Sequence, residues 1–100
     1  MKVFIMTDME GVAGMINFDD WVDPKGRYYE AGKRLLTLEI NAAVEGFFDA
    51  GATEILVCDG HGWGGINHEL LDSRVLFQRG WNVVYPFDLT ASYDVIAWIG

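Results

Sequence analysis

The sequence predicts an α/β fold with a largely parallel sheet. Two short apolar runs, at residues 3–7 and 54–58, flank one long segment with helical periodicity. Short apolar runs bounded by polar turns are typical of strands that are buried on both faces of a parallel sheet. A strand, a helix and a second strand in this order form a βαβ unit, in which the two strands run parallel.

The connecting helix is predicted over residues 28–50. Apolar side chains recur there at spacings of three or four residues: Leu36, Ile40, Ala43, Phe47 and Ala50. Gly51 follows, at the position where a glycine in the left-handed conformation commonly ends a helix. Residues 8–24 lack a clear period and are expected to form a long loop. Long loops in compact domains are often functional.

The second half of the chain contains shorter predicted elements. Residues 59–65 are expected to form a glycine-rich loop, and residues 67–71 a helical turn. Further strands are predicted over residues 74–78 and 95–99. Because the sequence stops at Gly100, directly after an apolar strand, we expect residues 1–100 to be a single α/β domain that is the N-terminal part of a longer one.

The composition excludes several classes of protein. The net charge is −8 and there is no basic patch, so nucleic acids and anionic membranes are poor partners. No apolar run approaches the ~18 residues of a membrane span, and the N-terminus lacks the features of a signal peptide. The single cysteine, Cys58, allows no internal disulfide and is expected to be a small core residue. We therefore expect a cytoplasmic protein.

Three side chains that could bind a divalent metal follow the first two predicted strands. Asp8 and Glu10 come directly after the first strand, and His61 lies in the glycine-rich loop after the second. Ligands bind beyond the carboxyl ends of the strands in open parallel sheets, so these side chains are expected to converge. Carboxylates together with an imidazole favour zinc or manganese over magnesium or calcium. The sequence thus predicts a metal site at Asp8, Glu10 and His61.

Other residues near this site have structural explanations. Asp8 and Asp59 could each cap a turn after a strand, as aspartate often does. His68 lies outside the glycine-rich loop and is interpreted as a surface or turn residue. Residues 60–65 match the dinucleotide motif G-x-G-x-x-G, but that motif should open a long helix. A strand is instead predicted by residue 74, so the glycines are expected to let the backbone pass close to a metal or substrate.

The tryptophans are interpreted as packing residues, although one lies in the loop of the candidate site. They are Trp21, Trp63, Trp81 and Trp98.

Several segments in order resemble the zinc-dependent D-aminopeptidase family. They are residues 7–14 (TDMEGVAG), 34–43 (RLLTLEINAA), 51–57 (GATEILV) with 59–62 (DGHG), and 93–100 (YDVIAWIG). The resemblance covers nearly the whole chain and is weaker between Leu70 and Ser92.

The resemblance implies a three-layer α/β/α fold with two zinc ions, and ring-shaped homo-oligomers that remove N-terminal D-amino acids from short peptides. Asp8, Glu10 and His61 match three of the metal ligands of the family. The remaining ligands, a histidine and a glutamate, and the catalytic histidine are expected beyond Gly100. No catalytic residue is therefore assigned within the chain, and the 100 residues alone are expected to be inactive.

The sequence is also compatible with two other functional classes. A magnesium-dependent phosphoryl hydrolase would use an Asp-x-Asp pair after the first strand, but Glu10 replaces the second aspartate and His61 would have no role. The chain could also be a non-catalytic module that binds metal or docks on a partner, including a second chain that supplies the rest of a split site.

Overall fold

A parallel sheet forms the centre of the computed structural model, which describes residues 1–80 and 88–100. Within those residues there are four strands: β1 (Lys2–Thr7), β2 (Glu54–Asp59), β3 (Leu76–Gln78) and β4 (Val95–Ile99). The order across the sheet is β3-β2-β1-β4, and each neighbouring pair is parallel. The predicted α/β class and the parallel sheet are confirmed.

The long helix connects β1 to β2 as predicted. This helix, α2, spans Tyr29–Asp49 and buries a stripe of side chains that includes Leu36, Ile40 and Val44. Gly51 has a φ of 101°, and its amide donates to the carbonyl of Phe48, so the left-handed end of the helix is present. No helix in the described part of the chain has the length and apolar character needed to cross a membrane.

The segment between β1 and α2 is more ordered than the sequence indicated. It contains a short helix, α1 (Phe18–Trp21), where a loop without regular structure was expected. The side chain of Asn17 caps this helix by accepting a hydrogen bond of 2.8 Å from the amide of Asp20. A four-residue helix is too short to show a hydrophobic period, so the prediction for this segment was wrong.

The two faces of the sheet are covered differently. On one face α2 packs against alternate strand residues, including Val3, Ile5, Ile55 and Val57. On the other face Leu89 and Tyr93 pack against the buried residues Phe4, Leu56 and Cys58. In the described residues, helices therefore cover one face, and the loop that precedes β4 covers part of the other.

The tryptophans do not share one role. Trp21 packs against the main core, as predicted. Trp63 and Trp98 are instead 63% and 72% exposed, so the described residues do not bury these two as the packing interpretation predicts. Trp81 lies outside the described residues.

Candidate metal centre

The strand register brings the two predicted loops to the same edge of the sheet. Thr7 of β1 pairs with Asp59 of β2, so the chain leaves both strands at the same level. The Asp8 amide donates to the carbonyl of Ile99 at 2.9 Å, and the Gly60 amide donates to the carbonyl of Thr7 at 2.9 Å. These backbone bonds connect the ends of β1, β2 and β4 directly beneath the candidate site.

The three predicted ligands converge at this edge. One potential ligand atom from each of Asp8, Glu10 and His61 lies within 4.8 Å of the other two. Donors around a single tetrahedral zinc ion lie roughly 3.3 Å apart, given metal–ligand distances near 2.0–2.1 Å. Small rotations of the exposed Asp8 and Glu10 side chains would close this difference. The geometry and the donor types thus fit a zinc or manganese ion.

His61 is held from both sides of its ring. Its Nδ1 lies 3.1 Å from Oδ1 of Asp8, and its Nε2 lies 3.2 Å from the backbone carbonyl of Val22. The side chain of His61 is only 5% exposed. In the tautomer that places the proton on Nε2, this nitrogen donates to the carbonyl of Val22, which can only accept. Nδ1 is then the nitrogen that can ligate a metal, in the arrangement that commonly fixes metal-binding histidines.

The carboxylates of Asp8 and Glu10 shift each other's pKa. Burial would raise the pKa of Asp8, but hydrogen bonds with Glu10, the Met9 amide and His61 outweigh it and hold that pKa below its usual value. The hydrogen bond to Asp8, with a contribution from burial, raises the pKa of Glu10. Without a cation, Glu10 therefore releases its proton at a higher pH than an isolated glutamate does. A divalent ion would take the place of that proton.

Asp59 has a structural position rather than a place among the candidate ligands. Its side chain is fully buried. Its carboxylate accepts hydrogen bonds from two amides of the glycine-rich loop, from the amide of the residue that follows the loop, and from one side chain. The donors are the amides of His61 (3.3 Å), Gly65 (2.9 Å) and Ile66 (3.0 Å), and Nε of Arg79 (3.0 Å). The sequence had left Asp59 open as a turn residue or a site residue, and the structure supports the turn role.

The other sequence-based alternatives are not supported in the described residues. His68 is not part of the cluster of potential ligands. After the G-x-G-x-x-G match, residues 66–75 form turns and no helix, so the context needed for a dinucleotide site is missing.

The helical turn predicted over residues 67–71 is present as hydrogen bonds from the Leu70 and Leu71 amides to the carbonyl of Asn67.

The candidate ligands open onto a cavity of about 490 Å³. Besides the ligands it is lined by Phe18, Gly60, Gly62 and Trp63. The Trp63 ring lies edge-on to the His61 ring, with 5.4 Å between centroids. The cavity is thus lined by the acidic side chains of Asp8 and Glu10 and by the aromatic side chains of Phe18 and Trp63.

Sequence reasoning missed three contributors to the site: Phe18, the carbonyl of Val22, and Arg79. A signal existed for the short helix that carries Phe18, because Asn17 followed three residues later by Asp20 resembles a capping box. No local pattern indicates that the carbonyl of Val22 meets His61, since 39 residues separate them. Arg79 likewise acts across the fold rather than within a motif.

Comparisons with known proteins agree on one group of enzymes. A family model described as D-aminopeptidase matches residues 1–100. A D-aminopeptidase of Bacillus subtilis (strain 168) is 41% identical over 61 residues, which are 61% of this chain and 22% of that protein. A solved structure, the Zn-dependent D-aminopeptidase DppA from Bacillus subtilis, a self-compartmentalizing protease, matches with a TM-score of 0.91 and 28% identity. This match covers 100% of the present chain and 37% of DppA. The chain thus spans well under half the length of these relatives.

Proposed function

Because this chain belongs to the D-aminopeptidase family, we propose that the complete protein is a metal-dependent aminopeptidase that acts on short peptides. Asp8, Glu10 and His61 are the metal ligands that this part of the protein supplies. The observation that carries the proposal is the convergence of their ligand atoms within 4.8 Å at the edge of an open cavity. The similarity to the Zn-dependent DppA supports zinc as the metal, and manganese suits the same donors.

Each residue has a distinct task in this proposal. Asp8 and Glu10 supply the negative charge that holds a cation, and His61 presents Nδ1 while Val22 holds its other nitrogen. When bound, a divalent metal polarises the peptide carbonyl and lowers the pKa of bound water. Phe18 and Trp63 wall the cavity and present apolar surface beside the ligands. Two zinc ions need more than three ligands, so a two-ion site requires donors additional to these three.

The finer features of the proposal come from the family relationship. We propose an N-terminal D-amino acid as the preferred substrate group, a homo-oligomer as the working assembly and the cytoplasm as the location. DppA is described as self-compartmentalizing, which supports an oligomer. The free, buried Cys58 is compatible with a reducing compartment.

The phosphoryl hydrolase alternative is less well supported. It leaves His61 without a role, yet the structure buries this side chain and places Nδ1 3.1 Å from Asp8. A magnesium site would be built from oxygen donors. A non-catalytic metal module would share the three ligands and differ only in lacking turnover.

Metal binding provides the first test. We expect the purified protein to retain zinc or manganese, and His61→Ala to weaken binding at least 100-fold because it removes one ligand. His68→Ala is the matched control, since it removes the chain's other histidine outside the cluster. Elemental analysis and titration against a chelator measure both. Wild-type protein that takes up no metal, or equal losses in the two variants, would contradict the proposal.

Turnover provides the second test. The complete protein is expected to hydrolyse a D-alanyl amide in a metal-dependent manner, with a lower rate for the L-alanyl amide. Metal binding without hydrolysis of either amide would favour the non-catalytic module. Hydrolysis of a phosphate ester with magnesium would favour the phosphoryl hydrolase.

A further inference from the structure

A buried ion pair lies beneath the loop that carries His61. The Asp59 side chain is fully buried, and Oδ2 lies 3.0 Å from Nε of Arg79. Among the described residues, Arg79 is the only cation within ion-pair distance of this carboxylate. Arg79 follows β3, so the pair connects the end of that strand to the end of β2. Neither residue is a candidate metal ligand.

The carboxylate of Asp59 holds the backbone of the loop that carries His61. It accepts hydrogen bonds from the amide of His61 at the start of the loop, and from the amides of Gly65 and Ile66 at its end. The loop backbone therefore curls around a single anion. Because His61 lies within this curl, the direction in which its side chain leaves the backbone depends on the position of Asp59.

Arg79 fixes that anion in place. Its guanidinium donates to Asp59 and also to the carbonyl of Ile66, so it contacts both the anion and the loop. The guanidinium also lies over the ring of Phe77, 5.0 Å from its centroid. Without Arg79 the Asp59 carboxylate would keep its amide donors, but a buried carboxylate that loses its ionic partner is strongly disfavoured and turns toward water. Hydrogen bonds to a charged acceptor are also stronger than those to a neutral one.

We propose that Arg79 is a positioning residue for the metal centre, which acts through Asp59 on His61. The proposal rests on the metal-binding function proposed above. Its consequence is that loss of the guanidinium releases the loop, tilts the imidazole and weakens metal binding, although Arg79 touches neither metal nor substrate. Loss of such outer contacts typically costs 10–100-fold in metal affinity.

The test uses the complete protein with Arg79→Met, which keeps an unbranched apolar stem and removes the guanidinium and its charge. The control is Arg74→Met, which removes an arginine that pairs with Asp72 and Glu45 and lies over the ring of Phe48. Zinc affinity is measured by chelator competition, and the visible spectrum of the cobalt-substituted protein reports the ligand geometry. We expect Arg79→Met to lose 10–100-fold in affinity with an altered cobalt spectrum, and Arg74→Met to match wild type.

A metal-free measurement separates this proposal from the proposed function. Nitrogen-15 NMR of the imidazole should show a slowly exchanging Nε2 proton on His61 in wild type and in Arg74→Met, and its loss in Arg79→Met. If wild type binds no metal, the proposed function fails, and the imidazole signal still decides the role of Arg79. If Arg79→Met does not fold, Arg79→Gln replaces it with the same expectations. A wild-type imidazole signal in the Arg79 variant, or wild-type affinity and cobalt spectrum, would overturn the proposal.

Discussion

Gly60 lies at a close approach between the two strand ends that carry the candidate metal ligands, and replacing it tests how closely those ends must approach. A Cβ at Gly60 would lie 2.6 Å from the carbonyl oxygen of Thr7 and 2.8 Å from Sδ of Met6. Ordinary van der Waals contact begins at 3.4 Å, so the backbone of the two strand ends must separate by several tenths of an ångström. That movement stretches the 2.9 Å hydrogen bond from the Gly60 amide to Thr7, which lies between Asp8 and His61.

The expected cost of Gly60→Ala follows from this geometry. Overpacking against a backbone atom costs about 1–3 kcal/mol of the free energy of unfolding. A displacement approaching 1 Å in a site can cost roughly 100-fold in function, so we expect a loss of about 10–100-fold in metal affinity. Urea unfolding measures the first quantity and chelator competition measures the second.

The control is Gly46→Ala, on an open face of α2. A Cβ at Gly46 meets no atom within 4 Å, and alanine is a better helix former than glycine. This variant should gain about 0.5–1 kcal/mol of stability with unchanged metal affinity. If Gly60→Ala were as stable as wild type and bound metal equally well, the argument from close approach would be refuted.

Two further predictions concern Cys58 and the aromatic wall of the cavity. Burial raises the pKa of the Cys58 thiol from 9.0 to about 11, so the folded state favours the neutral thiol. This contribution to the free energy of unfolding is fully present below pH 9 and is lost as the pH rises from about 9 to 11. The urea midpoint of wild type should therefore fall more steeply over that range than that of Cys58→Ala, and equal slopes would contradict the prediction. Trp63→Ala, which removes an exposed wall of the cavity, should raise KM for short peptides about 3–30-fold with little change in metal affinity. Trp98→Ala, which removes a tryptophan of similar exposure that does not line the cavity, should leave KM unchanged, and equal effects of the two variants would argue against a substrate role for Trp63.

The elements that the sequence predicted correctly are those with a local signature. The α2 stripe repeats every three or four residues, and β1 and β2 are short apolar runs between polar turns. The parallel arrangement follows from their order along the chain. The convergence of Asp8, Glu10 and His61 then required only that ligands gather at the carboxyl ends of neighbouring strands.

Errors arose where the outcome depends on contacts between distant segments. Trp63 and Trp98 have large aromatic side chains of the kind that are usually buried. Trp63 instead lies at the cavity and Trp98 on the edge strand β4, where little of the described structure covers them. Arg79 contacts Asp59 across 20 residues. Nothing in the sequence around Arg79 distinguishes it from Arg74, which pairs with the exposed carboxylate of Glu45.

The different roles of Asp8 and Asp59 follow from where β1 and β2 end: Asp59 is the last residue of β2, whereas Asp8 comes one residue after the end of β1. Both follow a buried apolar run, and the sequence placed the end of the second strand at Cys58. The strand instead includes Asp59, which pairs with Thr7. Alternate strand residues face the same side, so Asp59 faces the same side as Ile55 and Val57, toward α2, where its carboxylate can be surrounded by loop amides. Asp8 lies one residue past the end of β1 and leaves the sheet toward the cavity. A strand boundary shifted by one residue thus separates a buried anion that shapes the loop from an exposed one that can hold a metal.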